Sequence, residues 1–106
     1  MKLTELIAYF RQGGAFEDFC NKQGLNADSE VIEIYAQEPV SLESHLGFFP
    51  IEETEGRSDY ESQDMKYRTL FDFFYFLEVI EDLKGVRVPE DAELAQKLLS
   101  YALRDA

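Results

Sequence analysis

The chain has 106 residues, of which 45% are hydrophobic and 14% are aromatic, and its formal net charge is −12. A chain of this size and composition forms one packed domain, so we expect residues 1–106 to be a single domain rather than a disordered chain. The negative charge argues against direct binding to nucleic acid or to an anionic membrane, because both require a positive protein surface.

The first predicted elements are two short helices. Four apolar residues share the spacing of one helical face: Leu3, Leu6, Ile7 and Phe10. The glycines at positions 13 and 14 end this helix, since glycine is the preferred residue just past a helix C-terminus. A second helix carries Phe16, Phe19 and Cys20 on one side and stops at Gly24. Together the two helices predict an N-terminal helical hairpin.

Strands are predicted next. Residues 31–36 are rich in β-branched and aromatic side chains, and their alternation places Ile32, Ile34 and Ala36 toward the core. Glu33 and Tyr35 then lie on the other face. Residues 40–56 are ambiguous, because residues 46–51 have strand composition but include Pro50, which cannot donate to a ladder and belongs at an edge or bulge.

A hairpin is predicted around Gln63 and Asp64, with Tyr60 and Tyr67 as candidates for its inward face. Residues 69–72 then fit a capping box with aspartate in place of glutamate, which predicts a helix over residues 70–83. This helix is apolar around nearly its whole circumference, so we expect it to be the central core helix.

Pro89 suits the first position of a last helix over residues 89–103. The complete pattern predicts an α+β fold with an N-terminal helical hairpin and a small antiparallel sheet of about three to four strands. The central apolar helix 70–83 and the C-terminal helix 89–103 complete it.

Few residues offer catalytic or metal-binding chemistry. His45 is the only histidine and Cys20 the only cysteine, and no catalytic motif surrounds either residue. The acidic residues do not follow the spacing of a calcium loop, and the chain lacks the ligands of a zinc site. We therefore expect no enzyme activity, no metal and no cofactor, with His45 in a loop and Cys20 in the core.

The negative charge is concentrated in the middle of the chain. Residues 28–82 contain 15 acidic and 3 basic residues, a difference of 12 that equals the whole net charge, whereas the flanking segments are neutral. Aromatic residues lie among these acids, a combination that suits an interface, although a solvated surface explains the acids equally well. The candidate partner-binding residues are Glu33, Tyr35, Glu38, Glu43, Glu52, Glu53, Glu55, Asp59, Tyr60 and Glu61.

In this acidic, aromatic-containing stretch of residues 28–82 the chain resembles, by general character, the small acidic immunity proteins of bacterial toxin systems, including contact-dependent growth inhibition. The resemblance implies a bacterial, cytoplasmic protein that neutralises a basic toxin domain, such as a nuclease, by occluding its active site. A cytoplasmic location also agrees with residues 1–10, which lack the pattern of a signal peptide. The expected partner is thus a basic protein.

Two alternatives stay open. The same charge would suit a nucleic-acid-mimicking regulator or adaptor module, for which carboxylates should be spaced along an exposed strip. A small ligand-binding or enzymatic domain would instead require a pocket near His45 or two convergent carboxylates.

Overall fold

The computed structural model describes residues 1–83, 85–86 and 89–104. The helices in these parts of the chain are α1 (Leu3–Arg11), α2 (Phe16–Gln23), α3 (Ile51–Thr54), α4 (Phe73–Asp82) and α5 (Asp91–Arg104). The strands are β1 (Ile32–Gln37), β2 (Leu46–Pro50), β3 (Asp59–Ser62) and β4 (Met65–Asp72). The strands form one antiparallel sheet in the order β2-β1-β4-β3. The predicted α+β fold is confirmed.

One face of the sheet is covered by helices. Helix α4 lies on β1 and β4, and α5 packs against β4 and α1. Phe73 of α4 lies at the centre of this layer, where its ring meets those of Phe10, Phe19 and Phe48 at centroid distances of 5.4–5.9 Å. Such distances are typical of favourable aromatic pairs, so this cluster joins three helices to strand β2. In the described part of the chain, no helix combines the length and the apolar character needed to cross a membrane.

The N-terminal helices and the first strand form as predicted. The apolar faces of α1 and α2 are buried, and Gly24 ends α2 in the left-handed conformation at φ 70°. On β1, Ile32, Ile34 and Ala36 lie in the core below the helices, as the alternation predicts. Gln63 and Asp64 form the hairpin turn, both with positive φ.

The predicted start of the central helix is wrong. Residues 70–72 belong to β4, and α4 begins at Phe73 after Asp72, whose carboxylate accepts a hydrogen bond of 2.7 Å from the Tyr75 amide. The register between β1 and β4 shifts by one residue at this point, as in a β-bulge. The bulge allows Leu70 and Phe71 both to enter the core from a strand, which accounts for the apolar run without a helix.

Two further predictions on helices need correction. Helix α4 buries Phe73, Phe76 and Ile80, but Phe74 is 47% exposed, because only one side of the helix faces the sheet. Helix α5 begins at Asp91 rather than at Pro89.

The ambiguous segment 40–56 contains the edge strand β2, which ends at Pro50, and the short helix α3 directly after it.

Candidate functional site

The face of the sheet opposite the helices carries four aromatic side chains, which we call the aromatic cluster: Tyr35, Phe49, Tyr60 and Tyr67. Phe49 is its centre. Its ring centroid lies 5.4 Å from that of Tyr35, 4.9 Å from that of Tyr60 and 5.2 Å from that of Tyr67. These separations fall in the range that aromatic pairs prefer, so the four rings form a small second core on this face.

Gly47 makes room for this cluster. A Cβ atom at position 47 would lie 2.7 Å from the ring of Phe49 and 3.0 Å from the ring of Tyr67. Both distances are shorter than ordinary van der Waals contact. The absence of a side chain on β2 therefore allows the two rings to meet over the strand.

Tyr35 supports the cluster from beneath and has no exposed surface. Its hydroxyl donates a hydrogen bond to the Arg57 carbonyl, which holds the turn after α3 over the sheet. Burial raises the pKa of Tyr35 above its ordinary value, because the charged phenolate would lose solvation. Tyr35 therefore positions the other rings, while Phe49, Tyr60 and Tyr67 are partly exposed and available for contact.

Tyr60 is held by an acidic residue of α3. Its hydroxyl donates a hydrogen bond of 2.7 Å to a carboxylate oxygen of Glu53. This hydrogen bond stabilises the protonated phenol and raises the pKa of Tyr60, and the negative charge of Glu53 acts in the same direction. The two predicted site residues are therefore direct neighbours, although six residues separate them along the chain.

A cleft of about 470 Å³ opens beside the aromatic cluster, between the end of β1 and the β3–β4 hairpin. The Glu38 amide donates a hydrogen bond of 2.8 Å to the Lys66 carbonyl, which places Glu38 against the hairpin. The residues that line the cleft are three acidic residues, two basic residues and two tyrosines: Glu38, Asp59, Glu61, Arg57, Lys66, Tyr60 and Tyr67. Glu38, Asp59, Tyr60 and Glu61 are all predicted site residues.

Other predicted site residues are engaged elsewhere. Glu43 accepts a hydrogen bond of 2.6 Å from Lys2 Nζ, and this contact lowers the pKa of Glu43. Glu52 accepts a hydrogen bond from the Ser29 hydroxyl, which lowers the pKa of Glu52 and fixes the loop before β1. Both side chains thus stabilise local structure outside the cleft.

Glu33 and Glu55 lie near the site without lining the cleft. One Glu33 oxygen, Oε2, accepts a hydrogen bond of 3.1 Å from the Thr69 hydroxyl. The other, Oε1, is buried and has no hydrogen-bond partner among the described residues. Glu55 is exposed, and one of its oxygens lies 3.8 Å from the guanidinium of Arg57. The predicted site residues therefore fall into three groups. Some line the cleft, some lie beside it, and others, such as Glu43 and Glu52, are engaged elsewhere.

His45 and Cys20 do not line the cleft. His45 is exposed in a depression of about 240 Å³ that it shares with Glu38 and Glu43. The hydroxyl of its neighbour Ser44 donates to the Pro39 carbonyl at 3.1 Å and accepts from the Ser41 amide at 2.9 Å, so it is engaged in the loop. Cys20 is buried, and burial raises the pKa of its thiol.

The predicted set of partner-binding residues did not include several residues that form this site: Gly47, Phe49, Arg57, Lys66 and Tyr67. A signal for two of them was available. A two-residue turn at positions 63 and 64 requires 60 to pair with 67 and 61 to pair with 66, which is the observed register. Side chains that pair across strands lie on the same face, so the turn alone indicates that Tyr67 accompanies Tyr60 and that Lys66 accompanies Glu61.

No protein-family model, curated protein or solved structure matches this chain.

Proposed function

We propose that this protein is an inhibitor that binds a basic protein through the aromatic cluster and the adjoining cleft. The observation that carries the proposal is the cleft at the β3–β4 hairpin, whose lining includes Glu38, Asp59 and Glu61 together with Tyr60 and Tyr67 of the aromatic cluster. Aromatic side chains are the commonest energetic centres of protein interfaces, and a surrounding polar rim excludes water from them.

The charge distribution supports a basic partner. The 15 acidic and 3 basic residues in positions 28–82 make this part of the chain strongly negative, and Glu38, Asp59 and Glu61 of the cleft belong to it. Opposite charge accelerates the encounter of two proteins to on the order of 10⁸–10⁹ M⁻¹s⁻¹ at low ionic strength. A partner with a positive surface would therefore be captured quickly and oriented toward this face.

Occlusion would convert such binding into inhibition. A nuclease presents a positive groove to the phosphates of its substrate, and an acidic surface seated there would exclude nucleic acid. We therefore propose a toxin nuclease domain as the partner, and protection of a bacterial cytoplasm as the biological role. This assignment matches the general character of immunity proteins.

A pair of charge-matched variants tests the proposal. The cleft variant carries Glu38→Gln, Asp59→Asn and Glu61→Gln, and the helix-side variant carries Glu17→Gln, Glu78→Gln and Asp82→Asn. Each variant replaces three exposed carboxylates and raises the net charge by 3, so the two variants differ only in where the altered carboxylates lie. Each protein is immobilised and exposed to lysate of the native cell, and the captured proteins are identified and assayed for nuclease activity.

We expect the wild-type protein and the helix-side variant to capture a basic nuclease whose activity is suppressed at one-to-one stoichiometry. The cleft variant should bind that partner at least about tenfold more weakly, because three carboxylates at the interface are removed. Capture of a partner whose activity is unchanged by binding would refute inhibition. Equal loss of binding in both variants would refute the proposed face.

A further inference from the structure

We infer that the open edge of strand β3 pairs with an extended segment of the partner, which adds a fifth strand to the four-stranded sheet. The segment would lie antiparallel to β3 and alternate basic with apolar side chains. The proposed function supplies the protein that carries this segment, and the inference rests on it in that respect. The pairing itself follows from the backbone of β3 and can be measured with a peptide.

Strand β3 forms one edge of the sheet, and its hydrogen bonds to β4 use every second residue. The Thr69 amide donates to the Ser58 carbonyl at 2.8 Å, which makes these two residues a hydrogen-bonded pair. The register then makes Tyr60 the next residue of β3 that is bonded to β4. The N–H and C=O groups of Asp59 and Glu61, which alternate with these residues, therefore point away from the sheet.

The two edges of the sheet differ. Within residues 1–83, 85–86 and 89–104, no hydrogen bond reaches the outward backbone groups of Asp59 or Glu61, and both residues are exposed. At the other edge, on β2, the outward amide of Leu46 donates to the Met1 carbonyl at 2.8 Å, and Pro50 has no N–H to donate. The fold thus restricts pairing along β2 and leaves the edge of β3 open to another strand.

The side chains of β3 select the chemistry of the added segment. Antiparallel pairing would place successive residues of the segment directly opposite Asp59, Tyr60 and Glu61. In the described part of the chain, neither carboxylate lies within 4.0 Å of a cationic nitrogen, so each favours a basic residue opposite it. Tyr60 lies on the other face, beside Phe49, and favours an apolar residue.

A second copy of this chain would suit the edge poorly. Pairing of two β3 strands would bring Asp59 and Glu61 of one copy against the same carboxylates of the other, and like charges on paired strands destabilise a sheet. Arg68 and Lys66 face these carboxylates from β4, on the inner side of the strand, so a strand on the outer side meets the carboxylates first. The net charge of −12 also opposes self-association. A basic segment of another protein avoids this repulsion.

The experiment uses the complete chain and the peptide acetyl-Val-Lys-Val-Lys-Val-amide as the probe. Binding is followed by chemical shifts and hydrogen exchange of the protein amides in two-dimensional NMR. The outward amides of Asp59 and Glu61 should exchange fast in the free protein and become protected at saturating peptide, whereas the Tyr60 amide should be protected in both states. The same peptide with glutamate in place of lysine should produce no saturable shift.

Two methylated peptides separate strand pairing from attraction between opposite charges. In the proposed register the backbone N–H groups of both lysines point to β3, and that of the central valine points away. Methylation of the second lysine at its backbone nitrogen should weaken binding at least about fivefold, because one hydrogen bond to the edge is lost. Methylation of the central valine nitrogen should leave binding close to that of the parent peptide. Equal affinity of the two methylated peptides, or no saturable shift with the parent peptide, would overturn the inference.

A matched pair of protein variants examines the same bond from the other side. Glu61→Pro and Glu61→Gln remove the same charge, but proline also removes the outward N–H, and edge strands tolerate proline at such positions. We expect Glu61→Pro to bind the parent peptide at least about fivefold more weakly than Glu61→Gln. Equal binding by the two folded variants would contradict the pairing. The amide spectrum reports whether Glu61→Pro is folded, and if it is not, the methylated peptides decide the question.

The inference and the proposed function can fail separately. A basic partner that binds Glu61→Pro as tightly as Glu61→Gln would refute pairing at the β3 edge while leaving an inhibitory interface possible at the aromatic cluster. Protection of the outward amides by the parent peptide, together with a complete absence of any captured basic protein, would support the pairing and refute the proposed function.

Discussion

The Tyr60 hydroxyl donates a hydrogen bond to the Glu53 carboxylate at 2.7 Å, and this contact ties the edge strand β3 to the short helix α3. The same tyrosine ring packs 4.9 Å from that of Phe49 and lines the cleft. One side chain thereby connects the aromatic cluster, the cleft and helix α3. The pKa of the Tyr60 hydroxyl should therefore respond to changes in any of these three parts of the structure.

The first prediction concerns alkaline pH. The pKa of Tyr60 is raised, chiefly by the hydrogen bond to Glu53, and the pKa of Tyr35 is raised chiefly by burial. Because both folded values exceed the unfolded value of about 10, their contribution to stability is complete below about pH 10 and is lost as the pH rises through the folded pKa. We expect urea unfolding midpoints to fall above that pH.

The phenolate absorbance of two variants identifies the source of this effect. Glu53→Gln should lower the titration midpoint of Tyr60, since the negative charge beside its hydroxyl is removed. Glu78→Gln, with the same charge change on the exposed side of α4, should leave the titration curve unchanged. Identical curves for wild type and Glu53→Gln would contradict the assigned role of the hydrogen bond.

The second prediction compares neighbouring aromatic residues of α4. Phe73 is fully buried among other rings, so Phe73→Ala should lower the free energy of unfolding by about 3–5 kcal/mol through lost burial and a cavity. Phe74 is 47% exposed, and Phe74→Ala should cost less than about 1.5 kcal/mol. Urea melts of the two variants provide the comparison. Similar losses would show that both faces of α4 are covered.

The third prediction concerns the contact over Gly47. Gly47→Ala should destabilise the protein by about 1–3 kcal/mol, because the new methyl group overlaps the rings of Phe49 and Tyr67. In a Phe49→Leu background the same change should cost less, since the nearest ring is gone. A double-mutant cycle measured by urea unfolding gives this difference, and purely additive costs would exclude a steric conflict with Phe49.

The fourth prediction concerns Arg11, which joins α1 to the residues before α5. Its guanidinium donates to the Val86 carbonyl at 2.7 Å, to the Pro89 carbonyl at 2.6 Å and to Asp91 Oδ1 at 3.0 Å. A lysine cannot reproduce this geometry, so Arg11→Lys should reduce the free energy of unfolding by about 1–3 kcal/mol.

An exposed ion pair provides the control for Arg11. Lys97 lies 3.7 Å from Glu93 one turn away on the surface of α5, with both side chains more than half exposed. Lys97→Ala should therefore change the free energy of unfolding by less than about 0.5 kcal/mol. Hydrogen exchange should also show faster opening of α5 in Arg11→Lys alone. Unchanged protection there would mean that Arg11 does not hold this helix.

The elements that could be predicted from sequence are those whose signals are local. The apolar spacing of α1, the alternation of β1 and the turn at Gln63 and Asp64 each depend on a few consecutive residues. Backbone geometry relates such residues directly, since a helix repeats every 3.6 residues and a strand every two. The class of the fold and the location of the charge were therefore accessible from the sequence.

The secondary structure of the apolar run at residues 70–77 cannot be assigned from neighbouring residues alone. Its residues suit either a buried strand or a helix, and pairing with β1, more than thirty residues earlier, makes residues 70–72 the end of β4. Helix α4 therefore starts at Phe73, and Phe74 lies on the side of the helix that faces away from the sheet. Only the tertiary structure determines this boundary, because the competing states differ in contacts with a distant strand.

Long-range contacts also decide which residues form the candidate site. The sequence by itself determined that acidic and aromatic residues are mixed between positions 28 and 82. It did not determine that Tyr35 would be buried, that Glu43 would turn to Lys2, or that Glu38 would face the β3–β4 hairpin. Those outcomes depend on which strands pair and on what each loop covers, and these long-range contacts separate the carboxylates of the cleft from those that hold loops together.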